Sequence, residues 1–384
     1  MFSSGITRGA SLAIADLLDN CCQIKPGQEV VIASHIDGLQ GGDNLVDEQV
    51  VAWIQQAVMA RGANPTILWF DEPAKRHKWR VPPVFLAALR AADVLIKHTS
   101  DLTTEEFRII HDMAREYGTI VCRNFASTAG LLNSPWAQTP YELVSEIRYE
   151  AAIPLGSGNL PFVIDDPNGT HIEGTILPPN TTIFPTYSHY RKNTAGYRPF
   201  PEWVFPPVYI ANTNGVYVFD RMLSWWSRYI GIPPVFMDPI ELTIKDNRIV
   251  KISGKDEADT LRRFLKEEME PYLGQDAYNV PEIHSGVHPC AVVAPQQCDH
   301  PLVRRFVDHS EHCNIHLHIG APLPREPYPY WAHITGDIRN ATWKAGDELV
   351  HEKGRLTALD SPRIKEIAKK YPDRPGIEFV PRSF

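Results

Sequence analysis

Four short apolar runs recur through the first third of the chain and limit what it can fold into. Glu29 to Ser34 (EVVIAS), Pro65 to Phe70 (PTILWF), Asp93 to Lys97 (DVLIK) and Thr119 to Cys122 (TIVC) each read as a buried strand. Segments with helical spacing lie between them: 47 to 61, where Val50, Val51, Ile54 and Val58 share a face, then 83 to 91 and 104 to 116. Strands that alternate with helices imply a mainly parallel sheet covered by helices, because parallel neighbours are joined by crossovers. A further helix over 139 to 150, with Thr139 as N-cap and Pro140 at the first helical position, is expected to close an α/β domain spanning 1–153.

From about 154 the pattern changes to strands and turns: HIEGTIL, TTIFPT, GVYVFD, then IELTIKDNRIVKISG. In the last of these Asp246-Asn247 joins two alternating runs, a hairpin signal, and a second hairpin is expected around Ala345-Gly346-Asp347-Glu348. One helix, Glu257 to Tyr272, places Leu261, Phe264, Leu265 and Met269 on one face. Thirty-three prolines, with Pro178-Pro179, Pro206-Pro207 and Pro233-Pro234 among them, favour loops and strands over long helices here. The expectation is a strand-rich α+β second domain over 154–384, and a chain of 384 residues with 43% hydrophobic content can bury both cores.

Several function classes are disfavoured. The formal charge is −8 with both signs scattered, so no basic surface for nucleic acid is expected. The N-terminus MFSSGITRGASLAIADLLDN lacks a basic start followed by an uninterrupted apolar segment, and no stretch approaches the roughly 20 residues that cross a bilayer. Six cysteines without a C-x-x-C pair fit reduced thiols rather than a disulfide scaffold or a four-cysteine zinc site. A soluble, cytoplasmic protein with a small-molecule substrate, and with neither nucleic acid nor membrane as partner, is the expectation.

Eight of the fifteen histidines lie between 284 and 333. PEIHSGVHP supplies Glu282, His284 and His288; HCNIHLHIG supplies His312, His316 and His318; WAHITGDIRN supplies His333 and Asp337. Imidazoles and carboxylates together suit zinc or non-haem iron. On a strand, residues two apart share a face, so Glu282 can point with His284, and His316 with His318. The competing reading for any one of these histidines is solvated surface or a structural hydrogen bond.

Other motifs are weaker. Gly38 to Asn44 (GLQGGDN) follows the first strand and leads into a helix, but it lacks both nucleotide-loop spacings, so an ordinary connection is the simpler reading. Cys290 or Cys313 beside histidines offers a thiol nucleophile, a reading ranked below the metal one because small cysteines commonly fill cores. Trp203 stands in an aromatic-rich stretch, and Tyr328, Tyr330 and Trp331 precede His333 in a proline-flanked loop; these four are the candidate substrate pocket.

The chain resembles, at a distance and over most of its length, the superfamily of aminopeptidase T-like metallopeptidases and iron-dependent 2,5-dihydroxypyridine 5,6-dioxygenases. LLDNCCQIKPGQEVVI is similar to the opening of those proteins. FPEWVFPPVYIANTNGVYVFD resembles the peptidases' G-E-V-F-x-x-P segment and its following strand, and PEIHSGVHP resembles their G-E-x-x-x-G-x-N-P. HLHIGAP and HITGDIRN resemble the late histidine segments, all in the same order. The resemblance places Glu282 where the peptidases have a metal-binding glutamate and the dioxygenases a metal-binding histidine, and His333 on the late histidine ligand common to both. His318 falls on a further peptidase histidine.

Two departures matter. Trp203 replaces the glutamate of G-E-V-F, and Thr335 stands where H-x-D expects aspartate, leaving Asp337 as a substitute ligand two residues on. The resemblance therefore implies one divalent metal, iron(II) before zinc or manganese, held by Glu282, His318 and His333, with His284, His288 or His316 moving protons. The implied activity is ring-cleaving dioxygenation of a small hydroxylated aromatic or N-heterocyclic compound. The alternatives are a metal-dependent hydrolase of the aminopeptidase kind, or a metal-free binding protein that keeps the fold. A homo-oligomer is implied because relatives assemble.

Overall fold

The computed structural model describes residues 5–40, 45–70, 81–98, 104–179, 197–202, 204, 207–224, 227, 230–321 and 333–378; for 37, 40, 104–108, 111, 197 and 333 it describes the backbone alone. Trp203, Tyr328, Tyr330 and Trp331 lie outside these residues, as do the tip of the Gly38–Asn44 loop and the TTIFPT run.

The expected parallel sheet is present. Strands β1 (Glu29–His35), β2 (Asn64–Phe70), β3 (Val94–Lys97) and β4 (Ile120–Asn124) run parallel in the order β2-β1-β3-β4, with helices Glu48–Ala60, Pro83–Ala91 and Thr104–Tyr117 as crossovers. Val50, Val51, Ile54 and Val58 are buried, as their spacing requires. Thr139 does not cap the next helix. Its hydroxyl donates to the Pro135 carbonyl at 2.8 Å, closing the short helix Pro135–Gln138, and the following helix runs Tyr141–Ala152 with Pro140 at its N-cap.

The second sheet is antiparallel. Strands β5 (Leu160–Asp166) and β6 (Thr170–Ile176) form a hairpin; β7 (Tyr197–Phe200) then returns to the first sheet as a fifth parallel strand beside β4. The long β8 (Val208–Met222) is the spine, bonded to β6, to β9 (Val235–Lys245), and in its end segments to β11 (Glu282–Ser285) and β13 (His333–Ile338). β9 turns into β10 (Arg248–Ser253) through Asp246 and Asn247, both at positive φ, the backbone such a two-residue hairpin demands. β12 (Ile315–Gly320) lies between β11 and β13, and β14 (Thr342–Ala345) with β15 (Glu348–Glu352) makes the second expected hairpin. The expected helix over 257 to 272 is Asp256–Phe264 continued by a wider turn, Leu265–Met269, and a last turn, Glu270–Leu273.

One apolar core runs from the N-terminal helix Arg8–Ala15 through both sheets to the last helix, Pro362–Ala368. That last helix and the turn after it lie on Tyr141–Ala152, where Arg363 Nε reaches Glu146 at 2.9 Å and Lys370 Nζ reaches Glu142 at 2.7 Å, while Arg374 pairs with Asp16 after the N-terminal helix. Among the described residues, no helix is long and apolar enough to cross a membrane.

Candidate metal centre

The alternation of β11, β12 and β13 sorts their residues between two faces. Ile283, Ile315, Leu317 and Ile319 belong to the core. The other face carries polar residues in rows set by register: His284 opposite His316, His316 opposite Asp337, and His318 opposite Thr335. Directly paired residues on antiparallel strands share a face, so three strands bring this set together.

Glu282, His284 and His318 form the first group. One ligand atom from each lies within 4.8 Å of the other two. His284 Nε2 is 2.8 Å from Glu282 Oε1, His318 Nδ1 is 3.8 Å from the same oxygen, and the two rings are 4.4 Å apart with planes 30° from parallel. Glu282 and His318 are buried; His284 is partly exposed. Two imidazoles and a carboxylate are the donor set of metal sites that retain open positions, so these residues fit a divalent ion such as iron(II). Two of the expected ligands are thus adjacent, and His284, expected to move protons, stands with them. His333 pairs through its backbone with Gly320, two residues beyond His318.

His309, His316 and Asp337 form the second group, again within 4.8 Å. His309 closes the helix Pro301–His309, and its Nδ1 is 3.0 Å from Asp337 Oδ2. The same oxygen accepts from Asn314 Nδ2 at 3.1 Å and from the Arg305 guanidinium. Burial raises the Asp337 pKa, but Arg305, His309 and His316 together outweigh it and hold the carboxyl far below its usual range. Burial pushes His316 well below the ordinary imidazole value and lowers His309 as well. Among the described residues neither ring nitrogen of His316 has a hydrogen-bond partner. Asp337 is therefore placed with the helix and His316 rather than beside Glu282, and a guanidinium already neutralises it.

The remaining candidates lie elsewhere. His288 belongs to neither group; its Nδ1 accepts from the Cys290 amide at 3.2 Å, and burial lowers its pKa to about 3. Thr335 uses its hydroxyl to accept from the Leu223 amide at 3.0 Å. Cys290 donates to the Gly376 carbonyl at 3.0 Å, and burial raises the Cys313 pKa to about 11, so neither thiol is set up as a thiolate nucleophile.

Arg305, His309 and Asn314 were not singled out by motif. Arg305 and His309 stand four apart on one helix face, a spacing that carried the signal.

No family model matches the chain, and no curated protein matches it in sequence. Solved structures do. The 2,5-dihydroxypyridine dioxygenase of Pseudomonas putida KT2440 superposes with a TM-score of 0.63 over 91% of this chain and 98% of its own, at 16% identity. Wild-type AmpT of Thermus thermophilus superposes with a TM-score of 0.53 over the same shares, at 12% identity. The chain shares their fold along almost its whole length.

Proposed function

We propose that the protein is a mononuclear metal-dependent enzyme, an iron(II) dioxygenase that opens the ring of a small hydroxylated aromatic or N-heterocyclic compound. The observation that carries this reading is the group Glu282, His284 and His318, two imidazoles and one carboxylate converging on one buried sheet face. The shared fold with a protein named as a 2,5-dihydroxypyridine dioxygenase supports it, although a fold hosts many chemistries and the donor set bears more weight.

In this reading Glu282 and His318 hold the ion, with His333 as a further donor from the neighbouring strand. When bound, iron(II) supplies open positions at which a substrate oxygen and dioxygen meet. His284 Nε2, in contact with Glu282, either completes the donor set or holds a proton there. His316 stands opposite His284 in the strand ladder, but burial disfavours its charged form, so His284 rather than His316 is the better-placed proton carrier. His288 lies in neither group and burial disfavours its charged form, so this reading gives it no part.

A hydrolytic reading has one observation of its own: the 2.8 Å contact between Glu282 and His284 is a carboxylate–imidazole pair that can take a proton from water. The test is elemental analysis of protein purified without chelators, then anaerobic reconstitution with iron(II) and oxygen-uptake measurements across hydroxypyridines and hydroquinones. Uptake that depends on Glu282 and His318 supports the dioxygenase. No uptake, with amino acids released from small peptides by zinc- or manganese-loaded protein, replaces it with the hydrolase.

A further inference from the structure

Away from the histidine face, three thiols meet beside the parallel sheet. Cys21 ends the turn Asp16–Cys21 that extends the N-terminal helix, Cys22 follows it, and Cys122 is central in β4. All three are completely buried, their sulfurs lie within 4.8 Å of one another, and Cys21 Sγ is 3.7 Å from Cys122 Sγ. Two sulfurs bound to one tetrahedral zinc at about 2.3 Å stand about 3.8 Å apart. Cys21 and Cys122 already have that spacing.

Charge around the trio is complementary to a metal–thiolate unit. Arg198 of β7 donates through Nη1 to the Cys21 carbonyl at 2.6 Å, and its positive charge acts on the Cys21 and Cys22 thiols. Three thiolates on a dication leave one negative charge, which a guanidinium beside them offsets in a dry interior. The Tyr141 side chain interacts electrostatically with Cys21, and three-coordinate copper(I) requires no fourth ligand.

We propose that Cys21, Cys22 and Cys122 bind one thiophilic metal ion, zinc(II) or copper(I), which joins the N-terminal helical layer to the middle of the parallel sheet. Because the sulfurs are wholly enclosed, the ion enters as the chain folds rather than afterwards.

Cobalt(II) is the probe for the zinc arm. Thiolate-bound cobalt gives an intense near-ultraviolet charge-transfer band, whereas imidazole and carboxylate ligands give only weak visible bands. The full chain is unfolded with reductant and chelator, then refolded with cobalt(II) or, without oxygen, with copper(I). The expected result is a charge-transfer band that saturates at about one equivalent, disappears in Cys122→Ser and Cys21→Ser, and persists in His318→Ala. Retention of about one equivalent of copper(I) against a competing chelator, lost in the same two variants, supports the site with copper(I) as its ion. Far-ultraviolet circular dichroism verifies folding, and Cys122→Ala replaces a serine variant that fails to fold. Natively folded protein with neither the band nor retained copper(I), or a band that survives Cys122→Ser, overturns the proposal.

Discussion

The imidazole of His316 lies flat against that of His309, their centroids 3.4 Å apart and their planes 13° from parallel. Two charged rings do not stack so closely, and burial keeps His316 neutral. Asp337 anchors the pair through His309 and is itself matched by Arg305. Asp337→Asn leaves that guanidinium buried without its counter-charge, so a loss of about 3–5 kcal/mol of stability is expected. Urea unfolding at neutral pH measures it; a loss below about 1 kcal/mol would place the pair among solvent-screened bridges.

Glu282→Gln and His318→Ala are expected to lower bound iron after reconstitution to less than roughly a tenth of an equivalent, and His333→Ala to weaken iron binding in proportion to its share of the ligand set. Chelation of the parent protein should lower its melting temperature, and re-added metal should raise it again by an amount that grows with metal concentration. Full iron occupancy in Glu282→Gln, read by elemental analysis, would remove the site from this face.

Acid sensitivity follows from histidines that are buried uncharged. Burial lowers the pKa of His288 to about 3, of His351 to about 3 and of His98 to about 4. Each folded value is below the unfolded value of roughly 6.5, so between the two the unfolded chain binds protons that the folded chain refuses. The stability is complete above about pH 6.5 and declines as pH falls towards 3, by about 1.4 kcal/mol per unit for each group. Denaturant midpoints that stay level from pH 7 to pH 5 would contradict this.

Gly336 sits in β13 between Thr335 and Asp337, where an added Cβ would stand 2.8 Å from the Phe219 ring. Gly336→Ala is therefore expected to overpack the interface between β13 and β8 and to destabilise by about 1–3 kcal/mol. Because the displaced strand also carries His333, the further donor of the proposed site, a thermal melt should show lowered stability and elemental analysis weakened iron retention. An unchanged melt would mean that Phe219 yields without moving β13.

What was legible in the sequence divides along physical lines. Buried parallel strands read as continuous apolar runs, so β1 to β4 were visible, as was the Asp246-Asn247 turn, whose residues tolerate positive φ. β7 was not. Its four residues, YRPF, carry no such run and join the sheet only after the excursion through β5 and β6. Period two placed Glu282 with His284 and His316 with His318, but the partner across a strand boundary depends on register, which no local pattern contains. Asp337 shows the same limit. Its neighbours Arg305 and His309 come from a helix, and only the docking of that helix sets them on it.

The return of β7 and the pairing of Arg374 with Asp16 bear on the order of events during synthesis. The first sheet lacks its outer strand until residue 200 has emerged, and the layer around the N-terminal helix stays open until residue 374 is free. A nascent chain can therefore not complete one half and then add the other in the usual vectorial manner. It must carry an unfinished N-terminal sheet until residue 200 and an open helical layer until residue 374 has emerged, the interval in which chaperones have the most surface to hold.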